Sequence, residues 1–223
     1  MSDCNVTVIT PTTGRGSLLR LISSIDAQEC EFGIRHLLLW DDKRAVGSPL
    51  PDALFGPNRW CLVMPDGFGK FGDAPGSALR AIGLLAADTP WVTFADDDVW
   101  WDRNHIQTIW QSAQGHNWAS TLRFIWSSEG ICLGVDRFES VGDDRGRRVP
   151  YEMCDNNCMF FRREFGVAAA PLYRQTLQYN DDRLMYAFLK QHAGRRVTTR
   201  VPTVNQICPD RLTAFFRDNC SPA

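Results

Sequence analysis

The chain has 223 residues, 44% of them hydrophobic, which is enough for one ordinary globular domain with a full core. Its formal net charge of −2 gives no general attraction to nucleic acid or anionic lipid, so any phosphate-binding site has to be local. Eight cysteines are scattered without a C-x-x-C pair, and the start carries neither the basic nor the apolar stretch of a secretory signal, so we expect a reduced, cytoplasmic protein.

Strand and helix patterns alternate from the start of the chain. Residues 6–10 are β-branched and predict a short strand that Pro11 ends. Apolar residues at helical spacing predict a helix over 18–25, and residues 36–40 predict a strand buried on both faces that closes on Asp41-Asp42. This alternation predicts a right-handed βαβ unit in a mostly parallel sheet.

The alternation continues to residue 113. The predicted elements are a strand over 60–64, a glycine-rich loop over 65–72 containing Lys70, a helix around 79–86 that Asp73 caps with Pro75 in its first turn, a strand over 91–95, and a helix over 106–113 that Asp102 caps. No apolar run reaches the length of a membrane-spanning helix.

Beyond residue 117 the pattern changes to short alternating segments. We predict an antiparallel hairpin from 122–126 and 131–133, an exposed charged loop over 136–150, a strand over 157–161, a helix over 181–192 that ends near Gly194, and a last strand over 197–201.

Asp96, Asp97 and Asp98 follow the predicted strand over 91–95 directly. Three adjacent carboxylates repel one another unless a cation neutralises them. On an extended backbone Asp96 and Asp98 would point to one side and Asp97 to the other. Two hard oxygen donors at a strand end suit Mg²⁺ or Mn²⁺ holding a phosphate-bearing ligand, whereas the simpler interpretation is a solvated acidic turn.

Three predicted strand ends carry polar clusters, and open α/β sheets bind ligands at that edge. Taken in order, Thr10-Pro11-Thr12, Asp41-Asp42 and Asp96-Asp97-Asp98 resemble motifs of the family 2 nucleotide-sugar-dependent glycosyltransferases of the GT-A fold. Leu79-Arg80-Ala81-Ile82-Gly83 resembles that family's Ala-Arg-Asn-x-Gly helix, with Ala81 replacing the Asn. Asn180-Asp181-Asp182 resembles its later acidic pair. The resemblance covers about residues 5–105 closely and 150–195 loosely.

The resemblance implies an α/β GT-A fold, Rossmann-like, with a mostly parallel central sheet flanked by helices and a small antiparallel acceptor-side portion. The chain would form a single domain over 1–223, with a nucleotide-sugar-binding half at about 1–115 and an acceptor-binding half at about 116–223. The implied activity is metal-dependent, inverting transfer of a sugar from a nucleotide-diphosphate sugar, UDP being favoured, to a carbohydrate or glycoconjugate hydroxyl.

Site roles follow from the same resemblance. Asp98 would bind Mn²⁺ or Mg²⁺, while Asp96 would contact ribose or share the metal. Asp97 would either touch the nucleotide or serve only the turn. Asp181, or Asp182 beside it, would be the general base that the acceptor hydroxyl requires, with Glu152 or Asp155 as the next candidates. The remaining nucleotide-site candidates are Thr10, Pro11 and Thr12 in the pocket, Asp41 or Asp42 at the base, and Lys70 and Arg80 at the diphosphate.

Several alternatives stay open at this point. Segment 205–209 offers no histidine as a third metal ligand, and each acidic residue or arginine above is also compatible with a structural or solvated role. Thr13-Gly14-Arg15-Gly16 resembles part of a nucleotidyltransferase phosphate loop. A catalytically silent nucleotide- or sugar-binding domain is the non-enzymatic alternative. Released UDP, released pyrophosphate, or binding without turnover would distinguish the three.

Overall fold

A computed structural model describes residues 4–41, 52–64, 68, 70–71, 74–143, 152–175 and 180–222. The strands in these ranges are β1 (Cys4–Thr12), β2 (Gly33–Asp41), β3 (Arg59–Met64), β4 (Lys70–Phe71), β5 (Ala74–Pro75), β6 (Trp91–Phe94), β7 (Val99–Trp101), β8 (Trp118–Trp126), β9 (Cys132–Asp136), β10 (Met159–Arg162), β11 (Val197–Ile207) and β12 (Cys220–Ser221). The helices are α1 (Leu18–Asp26), α2 (Ser77–Ala86), α3 (His105–Ala113), α4 (Arg163–Gln175), α5 (Asp181–His192) and α6 (Thr213–Asn219).

One sheet organises the molecule. Its strand order is β12-β9-β8-β10-β6-β1-β2-β3, and β11 pairs with both β8 and β7. Strands β6, β1, β2 and β3 are parallel to one another, whereas β10 runs antiparallel between β6 and β8. The predicted α/β class, a mostly parallel central sheet flanked by helices with an antiparallel portion beyond β6, is confirmed.

Two apolar layers cover the faces of the sheet. Because side chains alternate along a strand, Val8 of β1 packs into the layer that contains α1 and α3, and Ile9 packs into the layer that contains α2, α4 and α5. Gly83 lets α2 approach closely, since a Cβ there would lie 2.4 Å from Ile9 Cγ2. Strands β1, β2 and β6 are therefore mostly buried on both faces, and their ends are available for a ligand.

Several predicted boundaries were wrong. Pro11 does not end β1, which continues to Thr12 with Pro11 in register with Leu39 of β2. Pro75 lies in β5, and α2 begins at Ser77 after Gly76, whose φ of 81° suits glycine. Asp73 lies outside the described residues.

The C-terminal half holds more structure than predicted. Helix α4 was not predicted at all, and β11 extends to Ile207 and is followed by α6 and β12. The predicted exposed loop over 136–150 starts instead with a fully buried Asp136. The hairpin of β8 and β9 and the helix over 181–192 are confirmed. No helix in the described ranges is long and apolar enough to cross a membrane.

Candidate active site

A cleft of about 560 Å³ lies at the carboxyl ends of β1, β2 and β6. The start of α5 and the segment before β10 form its opposite wall. The charged residues that line it are eight carboxylates and three arginines: Asp41, Asp96, Asp97, Asp98, Glu139, Asp155, Asp181 and Asp182, with Arg15, Arg80 and Arg183. The cleft is therefore acidic although the chain as a whole is nearly neutral.

The three consecutive aspartates form a turn between β6 and β7, and all of them line the cleft. Strand β6 ends at Phe94, so the alternation expected along a strand does not apply, and the prediction that Asp97 points away was wrong. Asp96 forms an ion pair with Arg80. Asp97 accepts a hydrogen bond of 2.7 Å from Thr12 Oγ1 and is almost fully buried.

Asp98 is the aspartate of this turn whose hydrogen bonding is incomplete. Its Oδ1 is buried and has no hydrogen-bond partner among the described residues. Burial and the charges of Asp96 and Asp97 raise the pKa of Asp98 to about 7. Arg15 reduces this effect only partly, since its Nη1 lies 3.5 Å from both Asp97 Oδ1 and Asp98 Oδ2 and its side chain is mostly exposed.

The donor set of this turn fits a hard divalent cation. Within the described ranges, no three His, Cys, Asp or Glu side chains converge on one metal position. The turn therefore supplies at most two carboxylate ligands, Asp98 with its orphaned oxygen and Asp96 beside it. Mg²⁺ is commonly bound in proteins through one or two carboxylates together with phosphate oxygens and water.

Arg80 joins the two walls of the cleft. It projects from α2, is 7% exposed, and pairs with Asp96 and, at 3.0 Å, with Asp181 Oδ2. Burial alone would lower the pKa of Arg80, but the charges of Asp96 and Asp181 raise it above its ordinary value. A buried guanidinium between two carboxylates fixes their separation, because breaking either pair leaves a charge uncompensated.

Asp181 and Asp182 open α5 but have different surroundings. Asp181 Oδ2 accepts from Arg80, from Ser77 Oγ at 3.2 Å and from Asn156 Nδ2 at 3.4 Å. Asp182 Oδ1 accepts a hydrogen bond of 2.7 Å from the backbone N–H of Arg183. Burial and the charges of Asp155 and Asp181 raise the pKa of Asp182 to about 7.

Asp182 is better placed than Asp181 to take up a proton. The Asp181 carboxylate is already occupied by three hydrogen-bond donors, one of them a guanidinium. A carboxylate with a pKa near the working pH is matched to general-base catalysis. The sequence resemblance ranked Asp181 first, whereas the geometry favours Asp182.

A second buried arginine supports the wall of the cleft that lies opposite the aspartate turn. Arg123 on β8 is 1% exposed and pairs with Asp136 at 3.0 Å, with Asp155 at 2.6 Å and with Glu139. The charges of these three carboxylates raise the pKa of Arg123 although burial would lower it. Arg123 thereby holds two cleft carboxylates, Glu139 and Asp155, in fixed positions.

The structure brings nine of the predicted site residues into this one cleft: Pro11, Thr12, Asp41, Arg80, Asp96, Asp97, Asp98, Asp181 and Asp182. The prediction that Thr10 lines the pocket was wrong. Thr10 is fully buried, and its Oγ1 forms a hydrogen bond of 2.9 Å with His36 Nε2. Asp42, the side chain of Lys70 and most of the glycine-rich loop lie outside the described residues.

Sequence reasoning missed part of the lining. Arg15, Glu139, Asn156 and Arg183 were assigned no role in the predicted glycosyltransferase site, and Asp155 stood only as a reserve general base. The other reserve candidate, Glu152, pairs with Lys190 on the surface. The available signal was the polar run Asp155-Asn156-Asn157 before an apolar strand, which places several hydrogen-bonding groups at a strand start.

No protein-family model and no curated protein matches the chain by sequence. Solved structures do match. S. aureus TarS 1–349 has a TM-score of 0.63 at 15% identity over 98% of this chain and 67% of that one. The same fragment in complex with UDP-GlcNAc has a TM-score of 0.62 at 14% identity over 92% and 59%. The chain spans 37% of the longer TarS chain.

A different enzyme also shares the fold. The 4-diphosphocytidyl-2C-methyl-D-erythritol synthase of Anaerococcus prevotii has a TM-score of 0.56 at 12% identity, over 96% of this chain and 95% of that one. The likeness to TarS, a GT-A glycosyltransferase of the family 2 type, establishes that this chain has a GT-A fold. The identities are too low for any likeness to carry more than the fold.

Proposed function

We propose that the protein is a glycosyltransferase that moves a sugar from a nucleotide-diphosphate sugar to an acceptor hydroxyl. The observation that carries the proposal is the cleft in which the Asp96–Asp98 turn faces the acidic start of α5, with Arg80 bridging the two. The aspartate turn on one wall would bind the diphosphate, and a carboxylate at the start of α5 on the opposite wall would accept the proton. It lies at the carboxyl edge of a parallel sheet, where α/β folds bind nucleotides.

A divalent cation, Mn²⁺ or Mg²⁺, is part of the proposal. Asp98, assisted by Asp96, would hold it, and the bound cation would neutralise charge that builds on the departing diphosphate. The cleft's own charge supports this assignment, since eight carboxylates against three arginines repel a diphosphate that arrives alone. Thr12 and Asp41 lie beside the turn, where the nucleoside would bind. UDP is the proposed nucleotide, because the TarS fragment was solved with UDP and with UDP-GlcNAc.

Asp182 is the proposed general base. The acceptor oxygen attacks C1 of the donor sugar while the C1–O bond to the diphosphate breaks, and the bonding electrons leave with the diphosphate. The proton of the acceptor hydroxyl passes to the Asp182 carboxylate, which burial and the charges of Asp155 and Asp181 hold near neutral pKa. A single displacement of this kind inverts C1. Asp181, bonded to Arg80, keeps α5 in register with the donor wall.

The experiment measures UDP binding, and UDP release from UDP-sugars, with and without Mn²⁺, for wild type, Asp98→Asn and Asp182→Asn. We expect Asp182→Asn to bind UDP normally and to lose about 10²–10⁴-fold in turnover, the usual worth of a general base. We expect Asp98→Asn to lose Mn²⁺-dependent UDP binding. Wild-type protein that binds no nucleotide under any of these conditions would rule out the transferase.

One observation favours a second candidate, a nucleotidyltransferase, because the A. prevotii enzyme shares the fold over nearly its whole length. Such an enzyme would release pyrophosphate from a nucleoside triphosphate. Arg15, beside Asp97 and Asp98, is placed where a triphosphate could reach it. Incubation with CTP or UTP and a sugar phosphate, followed by pyrophosphate detection, separates the two activities. Binding of nucleotide without either product would indicate a silent binding domain.

A further inference from the structure

Two neighbouring asparagines lie between the walls of the cleft. Asn156 and Asn157 form the single turn of helix just before β10, and both are almost fully buried. Asn156 lines the cleft, whereas Asn157 lies behind it and is not part of its lining. Buried amides need partners for both the oxygen and the NH₂ group, so the bonds they make are specific in direction.

Asn157 bonds to Asp96 at two points. Its Oδ1 accepts from the Asp96 backbone N–H at 2.6 Å, and its Nδ2 donates to Asp96 Oδ2 at 3.2 Å. The same Nδ2 donates to Asp155 Oδ1 at 2.7 Å, and Asp155 is held from the other side by Arg123. The backbone N–H can be met only by the amide oxygen, so the orientation of the amide is fixed.

Asn156 makes the corresponding contact on the acceptor side. Its Oδ1 accepts from the Tyr173 hydroxyl at 3.1 Å, which turns its NH₂ group toward Asp181 Oδ2 at 3.4 Å. Adjacent residues thus hold one carboxylate on each wall, Asp96 on the donor side and Asp181 on the acceptor side.

We propose that Asn157 and Asn156 are paired positioning residues, Asn157 for the donor-side carboxylate Asp96 and Asn156 for the acceptor-side carboxylate Asp181. Their kinetic roles rest on the proposed glycosyltransferase function, while the positioning itself does not. Replacement of either amide by the isosteric carboxylate keeps the size but replaces a donor facing Asp96 or Asp181 by a repelling oxygen. The two substitutions therefore have different consequences.

The test compares Asn157→Asp, Asn156→Asp and a matched control, Asn205→Asp. Asn205 is also a buried amide, bonded to Asp102 and to Trp126 Nε1, but it does not line the cleft. UDP affinity is measured by calorimetry with Mn²⁺, and turnover by UDP release from UDP-GlcNAc. We expect Asn157→Asp to weaken UDP binding by about tenfold or more, the fold-change of one lost charged hydrogen bond.

Asn156→Asp should keep UDP affinity within about twofold of wild type while its turnover falls by about tenfold or more. Asn205→Asp should lower only the unfolding midpoint. A merely structural role would affect the two cleft variants alike, so equal weakening of UDP binding by Asn156→Asp and Asn157→Asp overturns the proposal. Wild-type UDP affinity in Asn157→Asp overturns it as well.

A ligand-free measurement separates this proposal from the proposed function. In Asn157→Ser the side chain is too short to reach the Asp96 amide, so hydrogen exchange at that amide should accelerate by about tenfold or more. The Ala95 amide, which donates to Ile9 O, is the internal control and should keep its protection, as should Asp96 in Asn156→Ser. If wild type binds no UDP, the function fails and this measurement alone decides whether Asn157 positions Asp96. An unchanged Asp96 amide overturns the positioning role.

Discussion

Two carboxylates of the cleft, Asp98 and Asp182, have pKa values raised to about 7, and each is raised first by burial and then by neighbouring negative charge. Such groups make stability depend on pH. A carboxyl whose folded pKa lies above its unfolded value contributes fully below the unfolded pKa, near 4, and the contribution is lost as pH rises through the folded value. Between pH 4 and 7 both groups therefore weaken the protein as pH rises.

Asp182→Asn tests this at one residue. Asparagine stays neutral, so the stability of the variant relative to wild type should be greater at pH 8 than at pH 5, by on the order of 2 kcal/mol. The measurement is urea denaturation at both pH values. Burial lowers the pKa values of His36 and His105 to about 3, so these two residues make the protein more stable as pH rises. Their effect is the same in the wild type and in the variant.

Two variants serve as controls for that prediction. Asp88→Asn changes an exposed carboxylate that pairs with Arg35 at the surface, and it should show no such pH-dependent gain. Asp181→Asn removes a charge that pairs with buried Arg80 and should destabilise at both pH values, by about 1–3 kcal/mol. An Asp182→Asn variant that gains nothing at pH 8 would contradict the burial of that carboxyl.

At the scale of elements, the site depends on how closely α2 packs on β1, because Arg80 reaches both walls from α2. Gly83→Ala puts a methyl group 2.4 Å from Ile9 Cγ2 and should destabilise the fold by about 1–3 kcal/mol through overpacking. Gly16→Ala is the matched control, since nothing lies within 4 Å of its Cβ. The measurement is thermal unfolding of both variants. Equal unfolding midpoints in Gly83→Ala and Gly16→Ala would show that α2 can move away from β1 without loss of stability.

The elements that sequence patterns predicted well are those with a strong period. Helix α1 has a buried apolar face, and β2 carries a run of four apolar residues directly before an acidic residue, so both were recognisable without tertiary information. Helix α4 was missed because Gly166 and Pro171, the two residue types with the lowest helix propensity, interrupt the helical pattern. Its packing against α2 and α5 stabilises it in place of propensity.

The sequence predicted which carboxylates belong to the site, but it did not predict how their side chains are arranged. Acidic residues after apolar runs indicate strand ends from sequence alone, which located Asp41 and the Asp96–Asp98 turn. The resemblance to the family's later acidic pair located Asp181-Asp182. The direction of each side chain depends on where β6 ends, and that boundary is set by pairing with β1 and β10. Arg123 reads as an ordinary strand residue, and only the fold brings Asp136, Glu139 and Asp155 around it.

At the scale of the whole molecule, charge is distributed unevenly. The chain has a net charge of −2, yet eight carboxylates and three arginines line a single cleft. Two buried arginines, Arg80 and Arg123, hold five carboxylates in place, so the repulsion is built into the native state and not relieved by side-chain motion. Under the proposed function, an anionic ligand of this cleft has to bind together with a compensating cation.

That requirement predicts synergy between metal and nucleotide. UDP alone should leave the melting temperature of the protein nearly unchanged, and Mn²⁺ alone should raise it slightly by relieving repulsion around Asp98. Together they should raise it by several degrees, since a ligand at about 100 times its dissociation constant adds roughly 2.7 kcal/mol to stability. Differential scanning fluorimetry with UDP, Mn²⁺, both, and both plus EDTA makes the measurement. Asp98→Asn should abolish the combined shift while Asp88→Asn keeps it. A shift with UDP alone that EDTA does not reduce would show that the arginines suffice to bind the diphosphate and that the cation has no part in it.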